Sequence, residues 1–346
     1  MQFIKPDINL EIIEKRRIAY GVSGILILIS ILSLIVHGGP KYGIDFAGGT
    51  VIQVQFTAPV SIDDIKQGLT GADITNPTVQ SFGERANHEY LIRTDMSEME
   101  EDGFIPKIEE VLQTATGQAA DVRRVEMVGP QVGKDLRAKA LFAMFYALLF
   151  ITIYISGRFE LKWLVSAVVA GALMGAVYLF SLLNMSIPFL IITALIVSLV
   201  LFWFLELKYA MGAIVALIHD VTITVGVFSL FGKEFSLPII AALLTIIGYS
   251  LNDTIIVFDR IRENLRKFTK NPLETIINKS INETLSRTIL TSLTTLVVVI
   301  SLFVLGGGII HDFAFALIVG VLIGTYSSVF VASPILLAWQ GAGRKM

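Results

Sequence analysis

Asp253 lies within an otherwise apolar run that opens near Leu237 and closes on the charged string Asp259-Arg260-Ile261-Arg262-Glu263-Asn264. A carboxyl at such a depth must face protein or a water-filled cavity, because exposure to lipid costs at least ~2.5–3.5 kcal/mol. Ionisable groups so placed are candidates for moving ions or protons. Ser250, Asn252 and Thr254 flank it, and helical spacing puts Tyr249, Asn252, Asp253 and Ile256 on one face. A second carboxyl, Asp220, follows His219 in the middle of another apolar run, which reads as a proton-handling pair. Neighbouring helical residues point about 100° apart, so the two side chains need not touch. Arg287, in Ser286-Arg-Thr-Ile-Leu-Thr-Ser292, opens a third apolar run, and a cation there can approach Asp253. An ion pair that opens and closes would tie the charge on the carboxyl to the position of the helices.

Each residue also has a plainer reading. Asp253 could be a helix-end carboxylate that reaches the polar surface. Asp220 could bond hydroxyls of a neighbouring helix and fix packing only. Arg287 could be a surface anchor. Residue type and spacing leave both kinds of reading open.

The elements that must position these groups belong to a membrane protein. Of the 346 residues 54% are hydrophobic and only 16% charged, and the mean hydropathy is +0.73. Such a composition excludes an ordinary soluble domain. The formal net charge of -2 offers nothing for nucleic acid. There is no cysteine, and His37, His88, His219 and His311 are scattered without metal-ligand spacing. With no phosphate-binding glycine loop and no Ser/His/Asp arrangement, the chain is not expected to be an enzyme or to hold a cofactor.

Lys15-Arg16-Arg17 precede an apolar segment from about Ile18 to Val36, long enough to be a retained membrane anchor. Residues 1–37, the amino-terminus and first span, are expected to begin in the cytoplasm by the positive-inside rule. Residues 38–135 read as a water-soluble external domain. Strands over 51–56, 78–82, 89–94 and 122–127 alternate with helices over 62–69 and 96–116, a βαββαβ order of the ferredoxin-like kind. Between Lys41 and Pro130, 15 Asp/Glu stand against 7 Lys/Arg, which places this domain outside the cytoplasm. Lys134, Arg137 and Lys139 stand against that assignment.

Residues 136–346 are expected to form a bundle, its spans near 140–156, 163–183, 187–205, 210–231, 237–258, 288–305 and 312–339. With the first anchor these make about eight, an even number that returns Arg344 and Lys345 to the cytoplasm. Residues 259–287 hold seven Lys/Arg against four Asp/Glu and read as a basic cytoplasmic loop, much of it an amphipathic helix pair broken at Asn271-Pro272. Gly320 and Gly324 in the last span permit close helix approach, with Thr325, Ser327 and Ser328 beyond them.

The bundle contains a tandem repeat. Glu160-Leu-Lys-Trp163, Phe180-Ser-Leu182 and Ser186-Ile-Pro188 recur as Glu206-Leu-Lys-Tyr209, Phe228-Ser-Leu230 and Ser236-Leu-Pro238. A two-helix unit is duplicated over about 160–205 and 206–258. Only the second copy carries His219-Asp220 and the Ser-Leu-Asn-Asp-Thr string; Leu173-Met174 stand where His219-Asp220 would fall.

Tyr42-Gly-Ile-Asp-Phe-Ala-Gly-Gly49, Gly157-Arg-Phe-Glu160, His219-Asp-Val221, Gly248 to Asn264, Ser286 to Ser292 and Gly324-Thr-Tyr-Ser-Ser328 occur together. On these motifs, along nearly its whole length, the chain resembles the SecF branch of the SecDF protein-export family, in the resistance-nodulation-division (RND) superfamily. The resemblance implies an RND-type half bundle of six spans, with the region from about Leu164 to Leu205 as two additional helices. It implies Asp253 as the proton-carrying residue, Arg287 as its basic partner and Asp220 as a further motif acid. It also implies SecD, the SecYEG translocon and the translocating preprotein as partners, within the lipid of the bacterial inner membrane, with YajC and an insertase as further candidates. The proton gradient would be the energy source. A small-molecule or lipid exporter of the same superfamily, and a non-coupling assembly subunit, remain the competing readings.

Overall fold

The computed structural model describes residues 9–72, 74, 77–82, 87–95, 103–160, 163–181 and 187–341. A short 3-10 turn (Ile13–Lys15) leads into α1 (Arg16–Val36). Its start is held by Asn278 Oδ1, which accepts the Ile12 and Ile13 N–H groups at 2.9 and 3.2 Å.

The chain then builds a small sheet domain. A short helix, α2 (Ile44–Ala47), runs into β1 (Gly49–Phe56), followed by α3 (Ile62–Gly71), β2 (Thr78–Phe82), β3 (Glu89–Thr94), α4 (Phe104–Thr116) and β4 (Ala120–Val128). The strands lie in the order β2-β3-β1-β4, and every neighbouring pair is antiparallel. With both helices on one face this is the ferredoxin-like arrangement. Alternation sets the core: Ile52, Val54 and Ile92 point inward to meet Ile65 and Leu69 of α3 and Ile108 and Leu112 of α4. Ser61 Oγ caps α3 by accepting the Asp63 N–H at 3.2 Å. Two glycines at the entrance to β1 are required. Gly48 and Gly49 have φ of 82° and 113°, and a Cβ on Gly49 would stand 2.6 Å from the Thr94 carbonyl oxygen. Of the helix expected over 96–116, residues 96–102 lie outside the described residues.

The bundle follows as α5 (Pro130–Glu160), α6 (Trp163–Ser181), α7 (Ile187–Phe204), α8 (Lys208–Leu230), α9 (Leu237–Lys267), α10 (Leu273–Leu305) and α11 (Gly308–Ser327). A π-helical turn (Ser328–Ala332) joins α11 to α12 (Ser333–Gly341). Among the described residues six helices are long and apolar enough to cross a membrane, where about eight spans were expected. The other two expected spans fall on α6 and α7, helices of 19 and 18 residues. Of the rest, 18–36, 140–156, 237–258 and 288–305 sit within longer helices, 210–231 matches α8 to within one residue at its end, and 312–339 crosses α11, the π-helical turn and α12. α5 begins ten residues before Ala140, and Arg137 on its second turn lies 4.0 Å over the Tyr42 ring, which gives that cation a partner outside the apolar core.

The basic region 259–287 consists of the ends of two helices. α9 continues to Lys267 and α10 starts at Leu273, so only Phe268–Pro272 turns the chain. Glu263 joins Arg260 at 2.9 Å and Lys267 at 2.6 Å, pairs that support a helix continuing past the apolar span. The expected break at Asn271-Pro272 falls in this turn. The duplicated unit reads structurally as α6–α7 followed by α8–α9, although residues 161–162 and 182–186 of the first copy lie outside the described residues. So do Arg344 and Lys345.

Candidate functional site

α8, α9 and α11 converge around Asp220, which is fully buried. Gly320 and Gly324 bring α11 onto α9: added Cβ atoms there would stand 2.3 Å from Ile246 Cδ1 and 3.0 Å from Ser250 Cβ. The approach lets hydroxyls from two helices reach one carboxylate on a third. Ser250 Oγ donates to Asp220 Oδ2, and Ser327 Oγ donates to the same oxygen at 2.7 Å. His219 Nδ1 lies 2.8 Å from Oδ1, so the adjacent side chains do touch, where helical geometry alone did not require it. The other ring nitrogen, Nε2, is 3.1 Å from Ser23 Oγ of α1, and Ser23 is 3.1 Å from the Tyr326 hydroxyl. Asp220 thus joins four helices through hydrogen bonds, and both of its oxygens are engaged.

Asp253 stands one turn beyond Ser250 on α9, buried with 1% exposure. Its Oδ2 accepts no hydrogen bond among the described residues. Thr254 is buried beside it, but Asn252 is exposed and Tyr249 and Ile256 only partly covered. The expected polar face of Tyr249, Asn252, Asp253 and Ile256 is therefore split. The buried row is Ile246, Ile247, Ser250, Asp253, Thr254 and Val257, and Asn252 points away from it. Tyr249 instead donates to Ser292 Oγ of α10 at 3.2 Å, and Ser292 lies 2.6 Å from Thr325 Oγ1 of α11.

Arg287 does not open a helix; it lies 14 residues into α10 and is exposed. It makes no ion pair with Asp253 in this conformation, and Asp253 Oδ2 has no hydrogen-bond partner among the described residues. One helical position further, Thr288 is buried and its hydroxyl has no hydrogen-bond partner among the described residues. Among the described residues no group of acidic, histidine or cysteine side chains could hold a metal ion.

Sequence reasoning overlooked Ser23, Ser30 and Ser33, the buried hydroxyls of α1. Ser33 donates to Ser229 of α8 at 2.9 Å. Their spacing of seven and three residues on one helical face was the available signal. Ser327 stood out only as a small residue, and its bond to Asp220 reaches across 107 positions.

Fold and site together define a polytopic membrane protein that carries a ferredoxin-like domain on one end of a helical bundle and buries two carboxyls inside it. Two family descriptions match: the protein export membrane protein SecD/SecF C-terminal region, over 107–197 and again over 180–342, and the SecD/SecF GG motif over 33–60. The doubled match to the C-terminal region accords with the duplicated helix pair. The protein translocase subunit SecF of Magnetococcus marinus is 41% identical over 100% of this chain and 96% of its own length. That of Desulfurispirillum indicum is 42% identical over 94% and 90%, and that of Escherichia coli O157:H7 36% identical over 92% and 84%. The crystal structure of SecDF, a translocon-associated membrane protein from Thermus thermophilus, superimposes with a TM-score of 0.70 at 29% identity, over 98% of this chain. A second SecDF structure, in a super-membrane-facing form, gives 0.57 at 30% identity over 99% of this chain. This chain spans 40% of the length of each of those SecDF chains. The chain belongs to the SecD/SecF family of protein-export membrane proteins, on its SecF branch.

Proposed function

We propose that this chain is a proton-coupled, non-enzymatic accessory subunit of Sec-dependent export. It pairs with SecD at the SecYEG translocon and helps to move preproteins outward late in translocation. The observation that carries this reading is the buried Asp253 carboxyl with an oxygen left open. Buried polar groups are as a rule hydrogen-bonded, and one that is not needs an explanation, such as a bound water or a proton-handling role. An open acceptor is where a proton or a water can dock. Arg287, exposed on the neighbouring α10, supplies the second half of a switch whose ion pair with Asp253 closes in another conformation.

The energies are of the right size. A charge moved across a potential of 100 mV gains about 2.3 kcal/mol, and about 1.4 kcal/mol changes an equilibrium tenfold. One proton can therefore bias a two-state movement of α9. In this reading Lys15, Arg16 and Arg17 hold the amino-terminus in the cytoplasm of the inner membrane, and the acidic sheet domain faces the other side.

The test is preprotein release from inverted membrane vesicles carrying Asp253→Asn in the assembled complex. Gradient-dependent release is expected to disappear while association with the partner subunits persists. Equal release from mutant and unaltered vesicles would remove the proton-coupled role and leave an assembly subunit. Transport of hydrophobic compounds by the same vesicles would favour the exporter reading.

A further inference from the structure

The junction between sheet domain and bundle is a second organised polar site, distant from Asp220. Lys41 and Asp45 come from the segment after α1, Arg93 from β3, Lys233 and Glu234 from the α8–α9 turn, and Asp312 from the first turns of α11. Glu234 binds both Arg93 and Lys41, the latter at 3.0 Å. Lys233 binds Asp312 at 2.6 Å. The three cations and three carboxylates balance, and Glu234 is only 13% exposed. Burial lowers the Arg93 pKa, and the charges of Asp312 and Asp45 act against that shift.

Backbone bonds run through the same residues. The Gly43 N–H donates to Phe235 O at 2.8 Å and the Phe235 N–H donates to Lys41 O at 2.7 Å, a parallel bridge between Tyr42 and Phe235. The amino-terminal cap of α9 also comes from across the junction. Ser236 makes no side-chain cap bond, and Asp45 Oδ2 accepts the Leu237 N–H at 2.8 Å instead. From Leu237 the helix runs without interruption to Asp253, about 24 Å at 1.5 Å per residue.

A resting contact between two domains needs only packing. Here an ion-pair cluster, a strand bridge and a helix cap converge on Lys233–Leu237, and partly buried ion pairs fix geometry more than they add stability. We propose that Asp45, Arg93 and Glu234 are positioning residues of a rigid joint that makes the amino-terminal end of α9 and the sheet domain move as one body. The joint would carry a displacement of α9 to the sheet, a role that rests on the proton-coupled reading above.

The chain lacks cysteine, so a Tyr42→Cys/Phe235→Cys pair can be oxidised cleanly in the reconstituted complex. The disulfide is expected to form, and preprotein release to stay within about twofold of the reduced sample, since the joint does not open. No crosslink, or release that stops on oxidation and returns on reduction, would overturn the proposal. Glu234→Arg is expected to lower release at least tenfold (~1.4 kcal/mol) while proton uptake continues, and Arg93→Glu added to it is expected to restore most release. Asp45→Ala is expected to behave like Glu234→Arg, whereas Asp45→Asn keeps an acceptor oxygen and works. Wild-type release from both Glu234→Arg and Asp45→Ala, or no rescue by the charge swap, would contradict a joint built from these groups. Loss of proton coupling itself is diagnosed separately: there Asp253→Asn leaves uptake and release unchanged whatever the joint variants do.

Discussion

Asp220 and Asp253 are carboxyls in the same bundle, buried to 0% and 1% exposure, yet their surroundings are opposite. Asp220 is engaged at both oxygens, by Ser250, Ser327 and His219, and its partners lie on α8, α9 and α11. Asp253, three residues from one of those partners, keeps Oδ2 without a hydrogen bond among the described residues. Depth in an apolar helix therefore does not by itself mark a working acid. In the proposed reading, the number of donors already committed to it separates Asp220, a carboxyl that holds helices together, from Asp253, the one that exchanges a proton.

The contrast breaks first if Asp220 can be removed cheaply. Asp220→Ala strands several buried donors, each costing about 1–3 kcal/mol. It is expected to lower the unfolding temperature in detergent more than any other substitution in the bundle. Next, Ser327→Ala removes one donor and is expected to cost about 1 kcal/mol. Adding Ser250→Ala should cost more than the sum of the two single changes, because either hydroxyl alone still satisfies the Asp220 Oδ2 that both serve and only the double change strands it. Thermal unfolding of the singles and the double measures that coupling. Asp253→Asn is expected to change stability by less than about 1 kcal/mol, since no bond to Oδ2 is lost. Asn252→Ala, on the exposed side of α9, is expected within about 0.5 kcal/mol of the parent and with unchanged release. A large loss at Asn252 would mean that this exposed face is covered in the assembled complex.

Much of this was legible before any coordinates. The period-two runs around Val51–Phe56 and Glu89–Thr94 give the sheet, because alternation follows directly from strand geometry. The apolar run from Leu237 to Phe258 gives the depth of Asp253 within it. Burial on α9 was not legible, because helical spacing fixes the angle between Asn252 and Asp253 but not which one turns inward. The Asp220 cluster was hidden for a different reason: its donors lie 30 and 107 positions away, and only helix packing brings them together. The same holds for Asp45 and Leu237, joined across 192 positions. The helix pair expected within 259–287, with its break at Asn271-Pro272, was legible because Pro272 cannot continue a helix, and the i,i+3 and i,i+4 pairs of Arg260, Glu263 and Lys267 support α9 beyond its apolar span.

The most direct test is the infrared band of a protonated carboxylic acid in the reconstituted complex, recorded with and without a proton gradient. A band that appears and disappears with the gradient, vanishes in Asp253→Asn and survives in Ser327→Ala is the predicted result. A gradient-sensitive band that persists unchanged in Asp253→Asn would show that the proton is carried elsewhere.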